Sequence, residues 1–302
     1  MSESTAESGV GSRHAEDRLA RREGTPAFDA LEHELDRWAA LDRQATFWLR
    51  DDDACRDSPA LRRLLGLAMA HDVPVALAVI PALADATLGE VVARHAGVTL
   101  LQHGYAHRNH AVPGERSGEL GRERSVLHRL DELARGRDYL VRAFAGRFAP
   151  ILVPPWNRIG DDLLPHLAGA GFSGLSRFGP RNAREAAAAL AEVNAHVDPI
   201  AWRRERQFIG AGVAVERLVA HLRARREHAC DGDEATGLLT HHLVFDDAAW
   251  DFVDELLRRT RRHRAATWCD AAQASGPACV TPGASCVSRR DPHLRPISMN
   301  RT

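Results

Sequence analysis

The stretch that decides the fold is Thr46-Phe47-Trp48-Leu49-Arg50-Asp51-Asp52-Asp53, an apolar run that ends in an arginine and three aspartates. A short apolar run of this kind predicts a buried strand. Side chains directly behind such a strand lie at its carboxyl end, which is where barrel enzymes carry their chemistry. Neighbouring carboxylates repel one another, so we expect a metal ion or an arginine to relieve the repulsion. A solvated acidic loop is the alternative.

Apolar strands followed by polar residues recur along the chain and alternate with helical patterns. Further strands are predicted at 75–80, 98–102, 151–153, 175–176, 193–197, 237–240 and 265–268. Helices are predicted from Phe28 onward and at 59–71, 88–95, 117–148 (with a break near Gly136), 161–170, 213–227 and 247–263. This alternation is typical of a parallel sheet covered on both faces. We therefore expect an α/β fold, a (β/α) barrel of seven or eight units that is complete, incomplete or distorted.

Length and composition limit the possible classes of protein. The chain has 302 residues, 44% of them hydrophobic, and residues 26–275 are expected to form one domain between disordered segments at 1–25 and 276–302. All 40 basic residues are arginine and the formal net charge is −1, which argues against nucleic-acid binding. No apolar stretch approaches the roughly 18 residues of a membrane span. Without an apolar signal segment or a Cys-x-x-Cys pair, the sequence predicts a cytoplasmic protein.

The second informative stretch is His103-Gly104-Tyr105-Ala106-His107, which follows the strand predicted at 98–102. On a helical turn, imidazoles at i and i+4 lie on the same side. Two neutral nitrogens together with one aspartate carboxylate suit a single divalent metal ion, with zinc as the first candidate. His110 is a third imidazole close by, either a further ligand or a neighbour of the ligands.

Three other stretches also follow predicted strands. Leu239-Thr240-His241-His242 offers a proton carrier near neutral pH, and we expect only one of its histidines to be catalytic. Pro154-Pro155-Trp156-Asn157-Arg158 predicts a rigid turn that could aim a backbone N–H at a ligand. In the third, His196 and Asp198 could form a metal pair, Asp198 could orient a histidine, or both could lie in a surface turn.

Taken in order, these stretches resemble the five motifs of the metal-dependent polysaccharide deacetylases. The resemblance spans about residues 45–245 and implies a (β/α) barrel that removes N-acyl groups from carbohydrates. The first family motif, Thr-Phe-Asp-Asp-Gly, implies that Asp52 is the general base and Asp53 a metal ligand. The second, His-Ser/Thr-x-x-His, implies that His103 and His107 complete the metal triad.

The later family motifs imply the remaining roles. Arg-Pro-Pro-Tyr-Gly resembles residues 153–157 and implies that the Trp156 N–H forms part of an oxyanion hole. An Asp-Trp motif is loosely matched by Asp198 and Trp202, and Leu-x-His implies that His241 is the general acid.

The chain departs from the family pattern at one position with a clear chemical consequence. Val153 stands where the family has the arginine that holds the catalytic aspartate. Arg50 is the expected substitute, because positions 50 and 52 share one face of a strand. Arg158 is the other candidate. Ala54 and Asn157 also replace family glycines.

We therefore expect a metal-dependent hydrolase that removes an N-acyl group, above all an N-acetyl group, from an amino sugar or glycan precursor. A catalytically inactive carbohydrate-binding relative and a hydrolase of a non-sugar amide are the alternatives. The expected site comprises Asp52 and His241 as acid–base groups; Asp53, His103 and His107 as metal ligands; Trp156, Asn157 and Trp202 as oxyanion or substrate contacts; and Arg50, Asp198 and Arg158 as supporting residues.

Overall fold

The computed structural model describes residues 26–144, 146–203 and 206–276, so the expected disordered tails lie outside the described residues apart from Gly276. The strands are β1 (Ala45–Ala54), β2 (Val75–Val79), β3 (Val98–His103), β4 (Phe148–Val153), β5 (Gly174–Leu175), β6 (Glu185–Ala187), β7 (Leu190–Glu192), β8 (Ile200–Ala201), β9 (Gln207–Phe208), β10 (Thr236–Thr240) and β11 (Ala266–Trp268). The helices are α1 (Pro26–Ala40), α2 (Pro59–Ala70), α3 (Ala86–Ala93), α4 (Val126–Ala143), α5 (Leu164–Leu167), α6 (Ala211–Arg226), α7 (Asp247–Arg262) and α8 (Ala271–Ser275). Short 3₁₀ turns lie at Pro81–Leu83, Pro155–Asn157 and His242–Val244.

A mostly parallel sheet forms the centre of the protein, with β1 next to one end of its strand order. That order is β10-β1-β2-β3-β4-β5-β7-β6, and β11 also pairs with β1. The strands from β10 to β7 pair in parallel, whereas β6 and β7 are antiparallel. The expected α/β fold with a mostly parallel sheet is therefore confirmed.

The chain after β7 links the two ends of the sheet through single bridges. Phe178, which follows β5, bridges Ala195, and Val197 bridges Leu238 of β10. The Leu239 amide also donates to the Val197 carbonyl over 2.8 Å. The strand expected at 193–197 is thus replaced by β7 and these bridges, so the sheet is irregular here.

Caps and apolar faces explain where the helices begin and what they cover. Ser58 accepts a hydrogen bond from the Leu61 amide at the start of α2, and Asp246 accepts one from the Ala249 amide at the start of α7. The apolar residues of both helices pack in the same core as the fully buried strand β2. Within the described ranges, no helix combines the length and apolar character needed to cross a bilayer.

Helix α4 differs from its prediction in where it begins and in the role of its central glycine. It begins at Val126 and continues through Gly136, where a break was expected, while residues 117–125 lie outside any helix. A Cβ at Gly136 would lie 2.6 Å from Gln102 Nε2 and 2.9 Å from Pro81 Cγ. The glycine therefore serves close packing of α4 against the end of β3 rather than a kink.

Candidate metal centre and active site

Asp53, His103 and His107 converge on one point at the carboxyl ends of β1 and β3. His103 Nε2 lies 3.3 Å from Asp53 Oδ1, and His107 Nε2 lies 3.4 Å from the same oxygen. Their ligand atoms all fall within 4.8 Å of one another. Asp53 Oδ1 is buried and has no hydrogen-bond partner among the described residues. The sequence-predicted triad is therefore brought together in a geometry that one cation can bridge.

The protonation of His103 suits metal binding. Its Nδ1 lies 3.0 Å from the Val153 carbonyl oxygen, which can only accept, so Nδ1 carries the proton and Nε2 keeps its lone pair. Burial opposes charge on His103, but Asp52 and Asp53 outweigh it and raise the His103 pKa, so the two carboxylates favour a positive charge here that a cation would supply in place of the Nε2 proton. Burial likewise opposes charge on Asp53, yet His103 and His107 hold the Asp53 pKa well below its usual range. These residues fit a divalent cation.

His103 is the last residue of β3 and His107 lies on the loop that follows, so the helical turn expected at 103–107 is wrong. His103 ends β3, and the chain then turns at Gly104 with φ +55°. A Cβ at Gly104 would lie 2.0 Å from a Glu119 carboxylate oxygen and 2.6 Å from Pro155 Cγ. Only glycine fits this position, and the turn brings His107 back beside His103 with ring centroids 5.1 Å apart.

Glu119 holds this loop in place, a role that nothing in the sequence indicated. Its carboxylate is almost fully buried and accepts hydrogen bonds from the Tyr105 amide at 3.0 Å and the Ala106 amide at 2.8 Å. The Arg108 amide donates to the same carboxylate over 3.4 Å. Backbone amides held in this way fix the spacing of the two candidate ligand histidines.

Left-handed backbone conformations concentrate at the site. Asp53, His107, Trp156 and Asn157 all have positive φ, between 54° and 73°. Residues other than glycine adopt this region at a cost of about 1–3 kcal/mol, and they persist there only where the surroundings hold them. The Trp156 ring packs 4.3 Å from the His107 ring, which supplies one such contact.

Arg50 and Asp52 form the ion pair that strand alternation predicts. Arg50 Nε lies 2.9 Å from Asp52 Oδ1, and Arg50 Nη2 donates to Asp52 Oδ2 over 3.1 Å. Arg50 is fully buried and also donates to Ser176 Oγ at 2.8 Å and to Asn157 Oδ1 at 2.6 Å. Arg158, the other candidate, donates instead to the Ser117 carbonyl over 2.6 Å.

His241 and His242 have different surroundings. His242 Nδ1 lies 2.5 Å from Asp51 Oδ1, and the His242 amide donates to Asp51 Oδ2 over 3.0 Å. Thr240 Oγ1 donates to the same Oδ2 over 2.7 Å. His241 Nδ1 has no hydrogen-bond partner within the described part of the chain, and the charge of His241 helps to lower the Asp53 pKa. Asp51 therefore holds the His242 ring, whereas no hydrogen bond within the described residues holds His241 Nδ1.

Asp198 and Trp202 border His241. Trp202 Nε1 donates to Asp198 Oδ2 over 2.6 Å, and the Trp202 ring stands edge-on to the His241 ring with centroids 4.5 Å apart. Burial raises the Asp198 pKa, and the nearby His241 opposes that rise. Trp202 is 42% exposed, so part of this residue remains accessible to a ligand.

The possible metal pair of His196 and Asp198 does not form. His196 lies instead beside His221 and Glu234, and the three ligand atoms of this second group lie within 4.8 Å of one another. However, His196 Nδ1 accepts a hydrogen bond from the Gly237 amide at 2.9 Å, so Nε2 carries the proton of the neutral ring and faces Glu234 Oε1 at 3.3 Å. A protonated nitrogen cannot bind a metal ion, so this group is a buried polar cluster.

Comparison with known proteins gives a result at the level of the fold. No family model matches the sequence, and no curated protein matches it. The structure is similar to a candidate polysaccharide deacetylase from Mycobacterium smegmatis, with 16% identity over 80% of this chain and 95% of that chain and a TM-score of 0.56. It is also similar to a wild-type CE4 family pseudoenzyme from Bacillus anthracis, with 12% identity over 78% of this chain and 66% of that chain and a TM-score of 0.51. The polysaccharide deacetylase fold implied by the motifs is therefore confirmed.

Proposed function

We propose that the chain is a divergent polysaccharide deacetylase that uses one divalent metal ion to remove an N-acetyl group from an amino sugar or glycan precursor. The observation that carries this proposal is the convergence of Asp53, His103 and His107 beside the Arg50–Asp52 ion pair. A bound cation, with zinc as the first candidate, would polarise the amide carbonyl and make water more acidic.

The surrounding side chains can supply the other parts of an amide hydrolysis. Asp52 takes a proton from the attacking water, and the ion pair with Arg50 fixes the direction of its carboxylate. His241 gives a proton to the leaving amine, and Asp198 and Trp202 border it. The Trp156 N–H, by resemblance to the family, stabilises the oxyanion.

Two alternative functions are judged by particular residues. The loss of the family arginine at Val153 favours a catalytically inactive carbohydrate-binding relative. However, Arg50 supplies a guanidinium to Asp52 from β1, whereas Val153 lies on β4. A hydrolase of a non-sugar amide would use the same catalytic groups. For the sugar substrate, the accessible Trp202 ring offers an apolar face of the kind that pyranose rings stack on. The cytoplasmic location and the absence of nucleic-acid partners stay predictions.

Acetate release from a panel of N-acetylated sugars and glycan precursors tests the proposal. Protein stripped by a chelator should lose activity and regain it with zinc. Asp52→Asn should keep about one metal ion per chain but lose roughly 10²–10⁴-fold in turnover, because only the base is removed. Asp131→Asn, at an exposed aspartate on α4 paired with Arg135, is the matched control and should keep both properties.

Each other outcome points to a different conclusion. Full activity of the stripped protein, or of Asp52→Asn, would contradict the proposed mechanism. Sugar binding by the metal-loaded protein without acetate release would identify the inactive relative. Release of acid only from non-sugar amides would identify the other hydrolase.

A further inference from the structure

Glu119 holds the backbone on both sides of the candidate ligand His107. One carboxylate oxygen, Oε1, accepts from the Ala106 amide over 2.8 Å and from the Arg108 amide over 3.4 Å. The other oxygen, Oε2, accepts from the Tyr105 amide over 3.0 Å. His107 itself has φ +54°, a conformation that a residue with a side chain keeps only where its surroundings hold it. A single carboxylate therefore holds the chain in the conformation that places the His107 ring at the site.

Glu119 is in turn fixed by the helix and the turn next to it. Arg124 Nη2 donates to the Glu119 carbonyl over 2.9 Å, and Arg124 Nη1 donates to Glu132 of α4 over 2.7 Å. The residue after Glu119 is Leu120, which forms a parallel bridge to Ile159, just behind the 3₁₀ turn that follows β4. Because these contacts do not involve the histidine loop, the carboxylate is a fixed point to which that loop is attached.

The chain between His107 and Glu119 closes on itself. The His110 amide donates to the Gly118 carbonyl over 2.9 Å, and the Gly118 amide donates to Asn109 Oδ1 over 3.0 Å. This pairing brings the carboxylate back to amides that lie 11 to 14 positions earlier in the chain. The loop is therefore a closed excursion, and its far end holds its beginning.

Gly104 makes room for the Glu119 carboxylate. The family motif has serine or threonine at this position, and a Cβ at Gly104 would lie 2.0 Å from Glu119 Oε2. A residue of the family type at position 104 and a carboxylate in this place therefore exclude each other. The hold that Glu119 has on the loop thus depends on a departure of this chain from the family motif.

We propose that Glu119 is a positioning residue of the metal centre, which sets metal affinity by holding His107 in its binding position before the cation arrives. This inference rests on the proposed deacetylase function, whose mechanism needs a cation at Asp53, His103 and His107. Glu119 acts through the backbone of residues 105–108 rather than by contact with the cation or the substrate. Without its carboxylate the loop must become ordered on binding, and that cost weakens the affinity.

Zinc affinity, measured by competition with a chromogenic chelator, tests the inference. Replacing a residue that supports metal ligands typically costs about 10–100-fold in metal affinity, and we expect a loss of that size in Glu119→Ala. Glu119→Gln should lose less, because its amide keeps one acceptor oxygen for the Ala106 and Arg108 amides. Glu34→Ala is the matched control, since Glu34 is equally buried but lies on α1, where it accepts from Arg226 Nε over 2.6 Å. It should lower stability and leave the zinc affinity of the folded protein unchanged.

Amide hydrogen exchange in the metal-free protein separates a local role from a general effect on stability. In Glu119→Gln the Tyr105 amide faces an NH₂ group instead of an acceptor, so it should exchange about tenfold faster than in wild type. Amides of α1 should change by a smaller factor. A uniform change across the protein would make Glu119 a general stabilising residue and would overturn the inference.

The zinc measurements also keep this inference apart from the proposed function. Wild-type zinc affinity in folded Glu119→Gln would overturn the inference, even if Glu119→Ala failed to fold. Zinc binding that weakens in the Glu119 variants, without acetate release from any sugar by the wild type, would refute the deacetylase proposal and leave this inference standing. Absence of tight zinc binding by the wild-type protein would overturn both.

Discussion

Replacing Asp51 with alanine tests how the end of β10 is held. The Asp51 carboxylate is fully buried and accepts three hydrogen bonds, two from His242 and one from Thr240. Alanine leaves the His242 amide and ring without an acceptor. Removing one partner of a buried ion pair costs about 3–5 kcal/mol, so we expect a loss of that size in the free energy of unfolding. Urea denaturation measures it.

Asp51→Asn provides a matched comparison at the same position. The amide can keep its oxygen toward Thr240 and the His242 backbone and turn its NH₂ toward a neutral His242 ring. We therefore expect a smaller loss, about 1–2 kcal/mol, since only the charged part of one bond disappears. Asp131→Asn, at an exposed aspartate paired with Arg135, should change the free energy of unfolding by less than about 0.5 kcal/mol.

The dependence of this loss on pH has a definite sign. Burial opposes charge on His242, but Asp51 outweighs it and raises the His242 pKa above 6.5. The ion pair therefore contributes fully below pH 6.5, the ordinary histidine value, and its contribution is lost as pH rises through the raised pKa. The difference between wild type and Asp51→Asn should be larger at pH 6 than at pH 9. An alanine variant within about 1 kcal/mol of wild type, or no pH trend, would refute this account.

Three further predictions concern the metal, the base and the second histidine cluster. His103→Ala and Asp53→Asn should each abolish tight metal binding, measured as metal content after dialysis, because each removes one of three ligands; full occupancy in both would place the metal elsewhere. Arg50→Ala should lower kcat per folded molecule, with the folded fraction taken from urea denaturation, since Asp52 loses its orientation while the apolar strand remains. An unchanged kcat per folded molecule would make Arg50 purely structural. Burial raises the Glu234 pKa to about 7, so this carboxyl stabilises the fold below pH 4.5 and loses that contribution as pH rises through 7. Glu234→Gln should accordingly be more stable than wild type at pH 8 and show a smaller fall in stability between pH 5 and 8, by urea denaturation.

Some of the site could be predicted because strands impose simple rules. Carboxyl ends of parallel strands meet, so Asp53 and His103 were expected together. Side chains alternate along a strand, so Arg50 and Asp52 were expected on one face. The same rule places Asp51 on the opposite face, where it meets His242 instead of repelling its neighbours.

Other parts of the site depend on contacts that no local pattern encodes. Glu119 lies in a loop 14 residues beyond Tyr105, and its role depends entirely on how that loop folds back. The left-handed conformation at His107 is likewise imposed by the loop, which is why a helical turn was the wrong expectation. The protonation of His196 follows from a backbone amide on β10, a partner 41 residues away.

The origin of the Arg50 guanidinium bears on how such a sequence could evolve. The family pattern supplies an arginine to the catalytic aspartate from the position of Val153, at the end of β4, whereas here it comes from β1. An ancestor that changed these positions one at a time would pass through a protein with either no arginine or two of them beside Asp52. Both intermediates would disturb the proposed base Asp52, so the two positions are expected to be epistatic. A sequence profile built from proteins with arginine at position 153 would score proteins with arginine at position 50 poorly, even though both arrangements place a guanidinium beside Asp52.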